Sequence, residues 1–337
     1  MQLDQDTFLC ALYTVLDDLY QAEIAIHKPA RPGPAPWVSD SEVLTLVVAG
    51  RYYGWSARAL GRYAAAHWQH LFPRQLSQSA FNRRRRDLAG VLTVLVAAAA
   101  QRLGAAAAAY EVIDGVPLVL AQRCRGVRHQ RFSEREADLG CGGSDRAWFY
   151  GLRVLLAVTP DGVITGFVAG PASTAERWLA EAFFCWRTTP EATPWSAADR
   201  PDQSHRAGGG FTGFTGLPWP RRGAGIPATC GRYLADRGFA GQVFGRHWRQ
   251  AYTARVVTRR DYYPDEAPAH HAHASLRQIV ETINGLLSAA RGSFTSAAHT
   301  LWGVRTDLAA ALLTINLGIA LNRQFRRPDL ALLTLVA

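Results

Sequence analysis

The segment from residue 148 to residue 168 places the strongest constraint on the fold. It contains two runs rich in β-branched and aromatic residues, WFYGLRVLLAV and VITGFVAG, joined by Thr159-Pro160-Asp161-Gly162. Pro and Gly in so short a connection are typical of a tight turn between strands. The pattern predicts a β-hairpin, so the middle of the chain must contribute antiparallel strands to a sheet.

Weaker signals on both sides of the hairpin complete a pattern of strands and helices. Short strand runs are predicted at 110–115, where the run stops at Asp114-Gly115, at 232–236, which ends in Asp236, and at 253–257. Apolar residues at helical spacing predict helices at 173–186, 240–250, 275–290 and 300–324. Because strands come first and alternate with helices later, the fold class is predicted to be α/β, with a mixed sheet flanked by helices.

The first hundred residues have a different pattern, which predicts several short helices. Ser39-x-x-Glu42 matches a capping box, and Ser56 and Ser77 are candidate N-caps for two further helices. We therefore predict an all-α domain over residues 1–105 and an α/β domain over 110–325, with a Gly/Pro-rich insertion at about 188–230. The helical domain is equally compatible with a helix-turn-helix-like DNA-binding module and with a dimerisation domain.

The chain is basic, with 37 Lys and Arg against 27 Asp and Glu, a net charge of +10. Such a charge favours polyanionic partners, nucleic acid before an acidic membrane surface. Lys28 is the single lysine, which suggests a bias in coding composition and weakens this argument. Four consecutive arginines, Arg83, Arg84, Arg85 and Arg86, would spread over every face of a helix, so phosphate contact and simple solvation are equally compatible with them.

Cysteine usage and the chain start bear on the compartment. The five cysteines include no C-x-x-C pair, so neither a disulfide framework nor a thiolate zinc site is indicated. The first ten residues lack a basic leader, and the apolar run 308–321 is shorter than the roughly 20 residues that span a bilayer. We expect a soluble, cytoplasmic protein with no membrane partner.

Three carboxylates stand out by their placement. Asp114 and Asp236 each end a predicted strand, where open α/β sheets place their sites. Glu281 lies at the edge of the apolar stripe of a predicted helix, in LRQIVETINGLL. Carboxylates without Cys or His partners suit Mg²⁺ or Mn²⁺, and two such ions promote in-line displacement at phosphate. Since the chain has 27 acidic residues, a chance selection of three is the competing explanation.

Several segments, in order, resemble the DDE transposases of small bacterial insertion sequences. They are IDGVPL at 113–118, the hairpin FYGLRVLLAVTPDGVITGFVAGPAS at 149–173, LADRGFAG at 234–241 and LRQIVETINGLL at 276–287, with VSDSEVLTLVVA and SQSAFNRRRRDL as a helical leader. The resemblance covers nearly the whole chain except the insertion, and it rests on the order and spacing of these segments.

The resemblance implies a fold, a site and an activity. The fold would be RNase-H-like, and Asp114, Asp236 and Glu281 would be the catalytic carboxylates that bind two Mg²⁺ or Mn²⁺ ions. The protein would cut DNA at the inverted repeats of its own element and join the 3′ ends to target DNA, as a homodimer in a synaptic complex, associated with the nucleoid when bound. Candidate DNA-backbone contacts are Arg153, Arg259, Arg260 and Arg277.

Two positions depart from the pattern of that family. Many of its members carry a Tyr three residues before the Arg and a Lys seven residues after the Glu, where this chain has Ala274 and Ser288, while Arg277 and Glu281 are retained. The departures leave two other functions open. One is a non-catalytic DNA-binding protein derived from a transposase, and the other is a stand-alone two-metal nuclease.

Overall fold

The computed structural model describes residues 2–28, 36–122, 132, 136–142, 147–188, 231–258, 269–289 and 294–336, with the backbone alone for 269–274. The predicted insertion therefore lies outside the described residues, apart from its first residue. The helices are α1 (Gln5–Glu23), α2 (Asp40–Tyr52), α3 (Ala57–His67), α4 (Gln78–Asp87), α5 (Ala89–Arg102), α6 (Glu176–Thr188), α7 (Gln242–Tyr252), α8 (Ala269–Ala289) and α9 (Leu301–Gln324). The strands are β1 (Glu111–Gln122), β2 (Asp138–Gly142), β3 (Ala147–Val158), β4 (Ile164–Pro171), β5 (Arg232–Ala235) and β6 (Arg255–Thr258).

The described strands form one mixed sheet. Its order is β4–β3–β1–β5–β6, and β2 pairs with the first half of β3, beside β4. The pairs β4–β3 and β3–β1 are antiparallel, whereas β1–β5 and β5–β6 are parallel. The predicted hairpin is confirmed, since β3 and β4 pair around a turn in which Thr159 N donates to Val163 O at 2.9 Å. The α/β class with a mixed sheet flanked by helices is confirmed at this level.

The predicted end of the first strand is wrong. The sequence run stops at Asp114-Gly115, but β1 continues through Pro117 to Gln122. The reason is the long antiparallel ladder with β3, which pairs residues 112–122 of β1. On its other edge β1 pairs with β5 only at Glu111 and Val112, so Gly115 and Pro117 interrupt no ladder with β5. Asp114 therefore lies inside a strand, just past the point where the parallel pairing ends.

Helices cover both faces of the sheet. Successive side chains of a strand point to opposite faces, and β1 follows this rule: Ile113 packs into a cluster with α6 and α7, and Val112 into the larger cluster on the other face. The α6/α7 cluster is rich in aromatic rings, with Phe183 and Trp248 fully buried. Apolar side chains on both faces of β1 explain why its predicted segment shows little alternation.

The N-terminal helices and α9 share the larger cluster. α9 packs against α5, α2 and α1, and Asn316 in its middle donates to Val96 O and Ile164 O while accepting from Ile164 N. One amide thus joins α9, α5 and the sheet. Among the described helices α9 is long and apolar enough to cross a membrane, but 78% of its most apolar window is buried inside the protein. This burial fits the soluble protein expected from the sequence.

The predicted helix starts in the N-terminal region are confirmed. Ser39 and Glu42 form both hydrogen bonds of a capping box at the start of α2. Ser56 accepts from Ala59 N, and Ser77 accepts from Ala80 N. Each cap satisfies a backbone N–H that a helix start leaves without a partner, which is why these serines mark the starts from sequence alone.

Candidate active site

The register of two parallel strands brings Asp114 and Asp236 to the same level of the sheet. Val112 of β1 is paired with Leu234 of β5, and each aspartate lies two residues beyond its member of this pair. Residues two apart on a strand point to the same face, and neighbouring strands lie about 4.8 Å apart. The two carboxylates are therefore neighbours at the carboxyl end of the parallel pairing, and each affects the electrostatics of the site.

Asp114 lies mostly buried at this point, with 18% of its side chain exposed. Its Oδ1 accepts from Gly115 N at 3.0 Å, and Arg277 Nη2 lies 3.8 Å away. Burial raises the pKa of Asp114 to about 6, and the negative charges of Asp236 and Glu281 act in the same direction, while Arg277 opposes them. The protein therefore holds a carboxylate here at a free-energy cost in its charged form.

Asp236 is held by the turn that follows β5. It is the N-cap of a single 3₁₀ turn, Arg237–Phe239, and its Oδ1 accepts from Gly238 N at 2.7 Å. Phe239 is buried in the aromatic cluster beneath and anchors this turn. The sequence Asp-Arg-Gly-Phe thus combines a capping carboxylate, a glycine and an anchor, which fixes the orientation of Asp236.

A third carboxylate, Glu176, is one that the sequence reasoning missed. It opens α6, which follows β4, and β4 runs in the same direction as β1, so both strands end at the same edge of the sheet. Burial raises the pKa of Glu176 to about 7, and the charges of Asp236 and Asp114 add to this effect. Glu176 therefore lies within electrostatic range of both aspartates.

Glu281 is less closely associated with this group. It lies on α8, which contacts β1 and β5, but its side chain is exposed and its charge is the smallest of the influences on Asp114. Arg277, one turn earlier on the same helix, is turned towards Asp114. Of the two departures, Ser288 is half-buried near the end of α8, and the side chain of Ala274 lies outside the described part of the chain.

The donor set suits hard divalent cations. Among the described residues, no three His, Cys, Asp or Glu side chains are spaced as a formed metal site. Asp114, Asp236 and Glu176 nevertheless offer carboxylate oxygens, the ligands that Mg²⁺ and Mn²⁺ prefer. Two arginines, Arg153 and Arg277, lie beside these three carboxylates, so one negative charge is left unbalanced when all three are ionised. A bound cation would relieve this imbalance, so the residues fit the expected metal.

Two of the four predicted DNA-backbone contacts flank the carboxylates. Arg153 of β3 lies 3.6 Å from Glu176 and also donates to Cys141 O at 2.8 Å, and Arg277 lies beside Asp114. Both guanidinium groups are mostly buried, so they are part of the carboxylate site as well as of any surface that faces DNA. Arg259 and Arg260 lie outside the described residues.

The four consecutive arginines of α4 divide into two pairs. Arg84 donates to Val38 O and forms an ion pair with Asp40, and Arg85 forms an ion pair with Asp307 of α9 at 3.3 Å. These two guanidinium groups connect α4 to its neighbours. Arg83 and Arg86 are exposed, and within the described part of the chain no ion pair involves them.

Comparisons with known proteins give no match to this chain, whether with family models, with curated proteins or with solved structures.

Proposed function

We propose that the protein is a metal-dependent DNA transposase with an RNase-H-like core, active in the bacterial cytoplasm on the ends of its own insertion sequence. The observation that carries this proposal is the register of β1 and β5, which places Asp114 and Asp236 side by side. The strand order supports it: three antiparallel strands lead into two parallel ones, with helices on both faces. The order of sequence segments that resemble this family is the second support.

The proposed roles follow from position and charge. Asp114, Asp236 and Glu281 would hold two Mg²⁺ or Mn²⁺ ions, which when bound activate water and then a 3′-hydroxyl for attack at phosphorus. Arg277 and Arg153 would attract the phosphate towards the carboxylates and balance its negative charge. Since phosphoryl transfer depends on positioning and charge neutralisation, such a site needs no covalent nucleophile.

DNA binding is assigned to the exposed arginines of the N-terminal helices. Arg83 and Arg86 are the members of the α4 run that can reach phosphate without breaking an ion pair of the described chain. The logarithm of the binding constant falls linearly with the logarithm of the salt concentration, and each phosphate contact makes this slope steeper by about 0.9. We expect Arg83→Ala with Arg86→Ala to weaken binding to all DNA sequences and to make the slope shallower by up to about 2. An unchanged slope would contradict the assignment.

The test of the activity uses DNA that flanks the gene on both sides. Purified protein is incubated with this DNA and Mg²⁺, and strand nicking and joining to a target plasmid are measured. Asp114→Asn, Asp236→Asn and Glu281→Gln should abolish both while DNA binding is retained or slightly tighter, because each substitution removes a negative charge that faces phosphate. Asp18→Asn is a matched control, since Asp18 is an exposed aspartate on α1 whose ion pair is with Arg102 and not with a residue of the site.

The outcomes separate the candidate functions. Nicking without joining would indicate a stand-alone two-metal nuclease instead of a transposase. DNA binding without nicking by the wild-type protein would replace it by a non-catalytic DNA-binding protein. Cleavage that survives Asp114→Asn would remove the carboxylates from the mechanism.

A further inference from the structure

Glu176 differs from the other carboxylates that the structure buries. Glu111 accepts hydrogen bonds from Thr165 and Arg187, and Glu181 accepts from Trp248 and Tyr252. These two carboxylates are satisfied by the protein, as buried polar groups usually are. Glu176 has only 19% of its side chain exposed, yet among the described residues no hydrogen bond reaches its carboxylate, and the ion pair with Arg153 is long, at 3.6 Å.

Two glycines make room for this carboxylate. A Cβ on Gly115 would lie 2.7 Å from Glu176 Oε1, and a Cβ on Gly238 would lie 2.1 Å from Glu176 Oε2. No side-chain carbon tolerates such approaches, so any other residue at either position would displace the carboxylate. Gly115 directly follows Asp114, and Gly238 lies two residues after Asp236. The chain therefore lacks a side chain beside each aspartate at the place where Glu176 enters.

The result is a carboxylate whose two oxygens face the two aspartate-bearing segments. Asp236 Oδ1 would itself lie 2.9 Å from a Cβ on Gly238, so the oxygens of Glu176 and Asp236 both approach that glycine. Close approach of like charges in a mostly buried place is unfavourable unless something positive is shared between them. Arg153 and Arg277 supply part of that charge, and Nε of Arg277 is buried without a hydrogen-bond partner in the described structure.

We propose that Glu176 is a metal-binding carboxylate of the same centre, a ligand additional to the three that the sequence suggests. This inference rests on the proposed function, because it assigns a further ligand to the proposed metal site. It also gives α6 a role: the first turn of this helix delivers a ligand to the sheet edge, while its buried side chains fix it on the aromatic cluster.

The test measures metal binding directly, without DNA and without turnover. Mn²⁺ is titrated by calorimetry into wild-type protein, Glu176→Gln, Glu176→Asp, Asp114→Asn and the control Glu23→Gln, which removes the same charge at the far end of α1. We expect Glu176→Gln to weaken Mn²⁺ binding at least tenfold, with Asp114→Asn similarly impaired and Glu23→Gln unchanged. Glu176→Asp keeps the charge on a shorter side chain and should recover part of the affinity.

Each result decides the question. If Glu176→Gln binds Mn²⁺ like the wild type while Asp114→Asn does not, the centre exists and Glu176 is not a ligand of it. If the wild-type protein binds no Mn²⁺ at all, the proposed function fails, and this inference fails with it. A thermal melt without metal accompanies each titration to show that each variant is folded. If Glu176→Gln is unfolded, the Mn²⁺ affinity of Glu176→Asp decides the question. An affinity equal to that of the wild type overturns the proposal, and an affinity between those of the wild type and Asp114→Asn supports it.

Discussion

Replacement of Asp114 by Asn should stabilise the metal-free protein at neutral pH and leave it unchanged in acid. The folded protein holds the pKa of Asp114 at about 6, against 3.8 for an ordinary aspartate. Because the folded state binds this proton more readily than the unfolded state, wild-type stability falls as pH rises from about 4 to about 6 and stays lower above that range. Asn has almost the same shape, carries no charge and can still accept from Gly115 N.

The size of the effect follows from the shift. A change of about 2 pKa units corresponds to about 3 kcal/mol of destabilisation of the ionised form, at about 1.36 kcal/mol per unit. This is an upper limit for the gain, because Asn also gives up the attraction between Asp114 and Arg277. An unfolding entropy of about 2.1 cal/mol/K per residue makes 1 kcal/mol equal to about 1.4 °C for a chain of this length. We therefore expect a rise in melting temperature of about 2–4 °C at pH 8.

The assay is a thermal melt of both proteins in EDTA at pH 4.5, 6 and 8, followed by the same melts in Mn²⁺. In EDTA the difference between Asn and Asp should be small at pH 4.5 and largest at pH 8. In Mn²⁺ at pH 8 the order should reverse, because a bound cation stabilises the carboxylate and not the amide. Destabilisation by Asn at pH 8 in EDTA, or a difference that does not depend on pH, would refute the electrostatic reasoning.

Two further substitutions test other parts of the structure by urea unfolding. Arg187→Met should lower the free energy of unfolding by about 3–5 kcal/mol, because it removes the guanidinium that pairs with the fully buried Glu111, and a loss below about 1 kcal/mol would contradict this reasoning. Gly238→Ala should lower the free energy of unfolding by about 1–3 kcal/mol, because the new Cβ would collide with the Glu176 carboxylate. Combining it with Glu176→Ala should restore most of that loss. Gly61→Ala, whose Cβ would enter open space on α3, is the matched control and should gain up to about 1 kcal/mol.

The sequence was sufficient where one local rule dominates. The hairpin of β3 and β4 and the starts of α2, α3 and α4 are decided by turn and capping residues, and all are found as predicted. The predicted end of β1 was wrong because pairing with β3, between residues tens of positions apart in the sequence, decides where the strand ends. A residue such as Gly115 can interrupt a ladder only where a partner strand is paired to that edge of its own strand, and β5 does not extend that far.

The same distinction separates the site residues that were expected from the one that was missed. Asp114 and Asp236 are visible in the sequence because each ends or nearly ends a run of strand residues, and the register of β1 and β5 then makes them neighbours. Glu176 follows a strand as well, but it lies in a helix start, where acidic residues are common for a different reason, the attraction of the helix dipole. Only the approach of its oxygens to Gly115 and Gly238 shows that its carboxylate turns away from that helix start and into the site.

The α4 arginines show how far charge alone can mislead. A run of four like charges suggests a single surface, yet Arg84 and Arg85 are committed to Asp40 and Asp307. Replacing all four together would remove two structural ion pairs as well as any DNA contact, and a loss of binding could not be assigned to either. The pair Arg83 and Arg86 isolates the electrostatic question, since their removal should leave the melting temperature within about 1 °C of wild type while it lowers the salt slope. A large fall in melting temperature would show that these two side chains also hold the helices together.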